Sequence, residues 1–189
     1  MTKDKEIWER FKAGDKNALS FVYFQYFNSM FQYGIKFRDD AEFVKDCIHD
    51  VFVKLIQAGE RLSSTDNIRF YLFRALKNKI YKEIYKDKKE EAQMAHLEFT
   101  ARFALEEEPE DEAGPKERAL VRALKNLSDR QREIIYLRYE CGMEYEEICG
   151  IMNLKNDSAR KLVFRAIKAL KDNIEDPIQF PILMILKFS

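Results

Sequence analysis

The chain has 189 residues and is formally neutral, with 33 basic and 33 acidic side chains and only six Gly and four Pro. That length allows one domain or two small ones, and no sustained Val/Ile/Thr alternation between hairpin turns is present, so an all-α protein is expected. Neutrality would ordinarily argue against a nucleic-acid partner, but the charges are sorted along the chain. The three cysteines, Cys47, Cys141 and Cys149, make no CxxC pair and have no His cluster beside them. No metal site or cofactor is therefore expected, and an odd count of thiols fits a reduced, cytoplasmic setting. The N-terminus lacks the apolar core of a secretory signal, and no apolar run is long enough to span a bilayer.

Taken in chain order, Trp8, Phe11, Leu19, Val22, Tyr23, Tyr26 and Phe27 recur at helical spacing. Gly14-Asp15 divides them into two helices, with Asn17 a candidate cap for the second. Phe31 to Phe37 continues the pattern as far as Arg38-Asp39-Asp40. A third helix carries Val44, Cys47, Ile48, Val51, Phe52 and Leu55 on its buried side and stops near Ala58-Gly59. The polar loop Leu62–Asn67 precedes a long basic helix from Ile68 to about Lys86, rich in aromatic residues. Between Arg69 and Lys89 there are eight bases against two acids; between Glu90 and Pro115 there are nine acids against Arg102 alone. The acidic stretch is weakly patterned, with a transient helix at most over Met94–Leu105, and reads as a flexible tether. Helical spacing resumes at Lys116 with Ala119, Leu120, Ala123, Leu124 and Leu127. Ser128 then caps a helix from Asp129 to about Glu140, which Cys141-Gly142 ends.

Residues 144–171 read as two short helices around a tight turn. Asn153 supplies a residue tolerant of the left-handed backbone, and Asn156, Asp157 and Ser158 supply N-cap oxygens for the second helix. On a helical wheel from Ser158, Ala159, Leu162, Val163, Ala166 and Leu170 share one face. Lys161, Arg165 and Lys168 share the opposite one, and Ser158 to Lys171 holds five bases and no acid. That division is what a helix-turn-helix needs, one face for packing and one for the major groove. The alternative is a helical hairpin with a solvated basic face. The chain thus divides into 1–88, an acidic linker 89–115, a helix-turn-helix module 116–173 and an apolar tail 174–189. Two basic surfaces separated by an acidic segment suggest two nucleic-acid modules on one tether.

Several of these motifs resemble the small two-domain sigma factors of bacterial RNA polymerase, the extracytoplasmic-function (ECF) type of the sigma-70 family. Leu127-Ser128-Asp129-Arg130-Gln131-Arg132-Glu133-Ile134, then Glu144-Tyr145-Glu146-Glu147-Ile148, resemble that family's −35-reading domain. Ser158-Ala159-Arg160-Lys161-Leu162-Val163-Phe164-Arg165-Ala166 is similar to its recognition helix. Asp46-Cys47-Ile48-His49-Asp50-Val51-Phe52-Val53-Lys54-Leu55 is similar to its polymerase-docking helix, and Phe70-Tyr71-Leu72-Phe73-Arg74-Ala75-Leu76-Lys77-Asn78-Lys79 to its promoter-melting helix. The chain departs from the family at His49, where Gln is usual, at Tyr71, where Trp is common, and at Asn153, which replaces a turn glycine.

The resemblance implies a promoter-specificity subunit with core RNA polymerase and promoter DNA as partners, an anti-sigma factor as regulator, and no small-molecule substrate. Asp46, His49, Asp50 and Phe52 would dock on the polymerase. The loop Ser63, Ser64, Thr65, Asp66 and Asn67 would form a pocket for a flipped −10 base, whose unstacking costs a few kcal/mol. On the following helix, Phe73, Ile80, Leu72 and Leu76 fit a core. Tyr71, Arg74, Asn78, Lys79 and Lys82 combine ring, amide and cations as single-stranded DNA requires, a stacked base being worth about 1–3 kcal/mol. Ser158, Arg160, Lys161, Phe164, Arg165 and Lys168 would meet the −35 element, with the division between phosphates and base edges left open. Two readings of the linker stay open, a solvated spacer and an RNA mimic, and two of the tail, packing on the second module and a partner site. No nucleophile–base pair, phosphate loop or metal cluster points to an enzyme. The competing function is a stand-alone helix-turn-helix regulator.

Overall fold

A computed structural model describes residues 2–87 and 122–172. The acidic linker, the stretch over Met94–Leu105 and the apolar tail lie outside these residues. The chain divides into two compact units, Met1–Leu97 and Glu98–Ser189, and every regular element among the described residues is helical.

In the first unit, α1 (Lys3–Lys12) is capped by Thr2, whose hydroxyl accepts from the Lys5 amide. Gly14, at φ 81°, turns the chain, and α2 (Lys16–Ile35) begins. Its cap is Asp15, not Asn17: one carboxylate oxygen accepts from the amides of Asn17 at 2.8 Å and Ala18 at 3.3 Å. Asp wins because the N-cap must precede the first free amides, and Asn17 already carries one of them. Asp40 caps α3 (Ala41–Ala58) in the same manner through the Phe43 amide. Gly59 ends α3 at φ 49°, a backbone that costs other L-residues a steric penalty. A short 3₁₀ turn (Gly59–Arg61) and the polar loop then lead to α4 (Ile68–Asp87).

Helices α2, α3 and α4 pack against one another around a core in which Trp8, Val22, Met30, Tyr33, Val44, Ile48, Leu72, Phe73, Leu76 and Ile80 are fully buried. Tyr33 stacks on Phe73 with ring centroids 5.0 Å apart. Close approach of α2 to α3 depends on Gly34, where an added Cβ would lie 2.6 Å from Val44 Cγ1. Across the other seam Lys79 of α4 is clasped by two carboxylates, Asp50 of α3 and Glu83 one turn on, the latter at 2.7 Å. Its side chain is only 12% exposed. Burial opposes the charge on Lys79, yet its carboxylate partners raise its pKa. Hydrogen bonds from its ammonium hold Asp50 and Glu83 below the usual carboxylate range.

In the second unit, residues 122–125 are helical and Ser128 opens α5 (Asp129–Ile135) in a capping box with Gln131. The helix continues to Glu140, as the sequence predicts, but residues Tyr136–Glu140 form a π-turn. Glu144 and Glu147 make a second capping box at the start of α6 (Tyr145–Met152). Asn153 adopts the left-handed conformation (φ 52°, ψ 56°) and the Leu154 amide closes back on the Cys149 carbonyl at 2.9 Å. Helix α7 runs from Asn156 to Asp172, two residues earlier than the Ser158 start of the wheel. Its first intrahelical bond runs from the Ala159 amide to the Lys155 carbonyl, so Asn156, Asp157 and Ser158 lie in the first turn and are not caps. Helix α7 packs on both α5 and α6 through Ala159, Val163, Ala166 and Leu170, all buried.

Four outcomes are expected. Gly34→Ala should destabilise the first unit by about 1–3 kcal/mol through overpacking. In chemical denaturation the Gly34→Ala/Val44→Ala pair should cost less than the sum of the single changes. Asn153→Val should cost about 1–2 kcal/mol for a branched residue forced left-handed, with Asn153→Gly tolerated, as thermal unfolding of the two variants will show. Because Asp50 and Glu83 have depressed pKa values, their contribution is present above the ordinary carboxylate pKa and is lost as pH falls through the folded-state values. Lys79→Met should flatten the acid limb of the stability–pH curve, and an unchanged limb would refute the clasp.

Candidate nucleic-acid interfaces

The loop before α4 is built from both ends of the first unit. Trp8 in α1 donates its indole N–H to the Ser63 carbonyl at 2.9 Å, and its ring lies 4.8 Å from that of Tyr71. The Ser64 hydroxyl donates to Glu9 at 2.6 Å, the first cause of a Glu9 pKa below the usual range. Thr65 Oγ1 accepts from the Asn67 amide and donates to the Asn67 carbonyl, both at 3.1 Å. Asn67 Oδ1 accepts from the Phe70 amide, and Asp4 accepts from the Ile68 amide. The loop thus takes an Asx/Thr turn at its end and an α1 clamp along its length. Of its five residues Ser63, Ser64 and Asp66 are exposed. The sequence reading missed Asp4, Trp8 and Glu9. Asp4 and Trp8, four residues apart, share one face of α1, and that spacing was the available signal; Glu9 lies well round the helix from them and had none.

Beside the loop, α3 and α4 frame a groove of about 460 Å³. Its wall brings together the five α4 residues singled out by sequence: Tyr71, Arg74, Asn78, Lys79 and Lys82, with Lys54 joining from α3. Arg74, Asn78 and Lys82 are exposed, and Tyr71 is half-buried against Trp8. Lys79 lines the groove but is held by Asp50 and Glu83. Leu72, Phe73, Leu76 and Ile80 face inward, fully buried.

On α3, Asp46 and His49 are exposed and Asp50 is half-exposed. Phe52 stands apart from them and corrects the predicted surface set. It is 3% exposed and packs edge-on against Tyr23 at 5.0 Å. With Val44 and Ile48 it continues the buried stripe of α3 at four-residue spacing, so it supports the polar face from beneath.

On α7, Ser158, Arg160, Lys161, Arg165 and Lys168 are all exposed, and Phe164 presents a ring that is 69% exposed. Arg160 Nε donates to Asn156 Oδ1 at 2.8 Å. The face opposite the buried stripe is therefore a row of cations with one ring, a chemistry suited to phosphates, base edges and thymine methyls. Among the described residues no group of His, Cys, Asp or Glu could hold a metal ion, and no helix is long and apolar enough to cross a membrane.

Comparison with known proteins gives this arrangement a context. Residues 117–170 match the family described as Sigma-70, region 4. The chain is 28% identical over 144 residues to the ECF RNA polymerase sigma factor ShbA of Streptomyces griseus, covering 70% of this chain and 72% of that protein. It is 23% identical over 185 residues to the ECF RNA polymerase sigma-E factor of Escherichia coli, covering 93% and 96%. Its fold resembles that of CnrH in complex with the cytosolic domain of CnrY, with a TM-score of 0.62 at 20% identity over 89% of this chain and 95% of that one. With the helix-turn-helix inside the matched region and relatives of one kind spanning both units, these likenesses together support an ECF-type sigma factor of the sigma-70 family.

Proposed function

We infer that this chain is a promoter-specificity subunit. It binds core RNA polymerase and directs transcription initiation by gripping promoter DNA at two points. The observation that carries this is the pairing of two chemically different surfaces in one chain. One is a groove with a ring, an amide and cations on α3 and α4, suited to single-stranded DNA. The other is an exposed basic face on α7 within the region-4 match, suited to duplex DNA. A stand-alone regulator, with the first unit as a ligand or dimer domain, accounts for the second surface but gives no reason for a groove with single-stranded-DNA chemistry on the first.

In this reading the unit spanning 1–88 docks on polymerase and opens the −10 element, the segment 89–115 tethers, and 116–173 reads the −35 element. Asp46, His49 and Asp50 form the docking face, with Phe52 supporting it. Tyr71 offers a stacking ring, Asn78 a donor and an acceptor for a base edge, and Arg74 and Lys82 hold phosphates. Lys79 contributes only where its carboxylate partners are released. Ser63 and Asp66 are the loop residues best presented to an extruded base, with Ser64, Thr65 and Asn67 shaping the loop. The subunit acts in the cytoplasm without chemistry of its own. An anti-sigma protein is its regulator, as CnrY is the partner of CnrH in that complex.

In-vitro transcription with core polymerase, with and without the chain, on a promoter library tests this directly; no stimulation on any template would sink it. Within that assay Arg74→Ala and Lys82→Ala should slow strand opening while −35 binding stays unchanged. Lys168→Ala, if a phosphate contact, should weaken −35 binding evenly across sequences and reduce the salt slope of log K by about 0.9.

A further inference from the structure

Tyr145 opens α6, and two guanidinium groups converge on its ring. Arg138, in the π-turn, lies 5.1 Å from the ring centroid, and Arg160, in the first turns of α7, lies 4.5 Å from it. Arg138 is itself anchored, its Nη1 donating to the Met143 carbonyl at 2.7 Å and to Glu144 at 3.1 Å. Arg160 is held a second time, through Nε, by Asn156 Oδ1 at 2.8 Å. Two elements of the second unit thus hold one exposed cation, α6 through Tyr145 and the start of α7 through Asn156, while Arg138 of the π-turn packs on the same ring.

A guanidinium is planar and carries five N–H donors in a rigid fork. With Nε engaged, the end-on pair Nη1 and Nη2 remains for a bidentate contact. That pair matches O6 and N7 of guanine in the major groove. Lys161 and Lys168 on the same helix are point charges without a fork, so they suit phosphates. A free arginine side chain surrenders about 2 kcal/mol of rotamer entropy when it is ordered. A side chain already ordered surrenders less on binding, and this is how a neighbour that never touches DNA raises discrimination.

We propose that Tyr145 is a positioning residue for promoter recognition. It holds the Arg160 guanidinium over its ring for end-on contact with a guanine in the upstream element, so that base preference at one position depends on a side chain of the preceding helix. The proposal rests on the reading of the second unit as the upstream-element reader. A cation–π contact at an exposed site corresponds to about a 2- to 5-fold effect on affinity. That is the size expected for the loss of guanine preference when the ring is removed.

The test uses the full chain with core polymerase on promoter templates carrying a randomised upstream element and a fixed −10 element, with the transcribed templates sequenced. Tyr145→Phe, which keeps the ring, should leave the preference intact. Tyr145→Leu should reduce guanine enrichment about 2- to 5-fold at one position, the same position that Arg160→Lys affects. Adding Tyr145→Leu to Arg160→Lys should change nothing further. Thermal unfolding verifies that the variants fold, and Tyr145→Gln replaces Tyr145→Leu should the latter fail. A uniform loss at all positions, an unmoved preference, or a loss from Tyr145→Phe equal to that from Tyr145→Leu would overturn the proposal alone. Absence of transcription with the unmutated chain would overturn the promoter reading and this proposal with it.

Discussion

The first unit is organised around the burial of Trp8. A fully buried indole has one polar group, and leaving it unsatisfied costs about 1–3 kcal/mol. Its N–H meets the Ser63 carbonyl, 55 residues later in the chain, while the ring stacks on Phe11 and touches Tyr71. One side chain therefore fixes three things together: the seat of α1, the path of the polar loop, and the orientation of the first turn of α4. The Ser64–Glu9 and Ile68–Asp4 hydrogen bonds fall along the same line. In the function proposed above, the surface offered to a base and the core that stabilises the unit share these atoms, so neither can vary without the other.

The second unit solves a related problem with charge. Helix α7 carries cations over its outer face, and an isolated helix with such a face would repel itself. Neighbouring elements provide local relief. Glu144 accepts from Arg138, and the ring of Tyr145 accommodates both Arg138 and Arg160. Acids at the start of α6, Glu146 and Glu147, also lie where the helix dipole favours them. The overall neutrality of the chain says little about these fields, because exposed charges interact over about 8 Å at physiological salt.

Much of this was legible in the sequence because it depends on short-range periodicity. The buried stripes of α3 and α7, the left-handed residue at Asn153 and the stop at Gly59 are all local statements. What was missed depended on contacts distant in sequence. Phe52 falls on the buried stripe by its spacing and in the docking set by resemblance, and Tyr23 of α2, which covers it, decides for the first. Lys79 reads as a free cation on a basic helix until Asp50 of α3 is placed beside it. The α1 clamp involves partners 55 and 64 residues away, beyond any window of helical spacing. The cap of α2 was misplaced for a smaller reason, since Asp15 and Asn17 are both capable caps and only the chain geometry after Gly14 chooses between them.

The clasp around Lys79 has a consequence for genetics. Asp50 sits on the polar face of α3 proposed above to dock on polymerase, so a screen for loss of that binding would sample it. Its carboxylate, however, also neutralises Lys79, a cation that lines the groove between α3 and α4. An Asp50 substitution thus writes two phenotypes at once, a changed polar face and an ammonium left to Glu83 alone. Suppressors of such a substitution would fall into two groups by location: those on the partner's surface, and those at Lys79 or Glu83. The ratio between them would report which of the two roles the cell feels more.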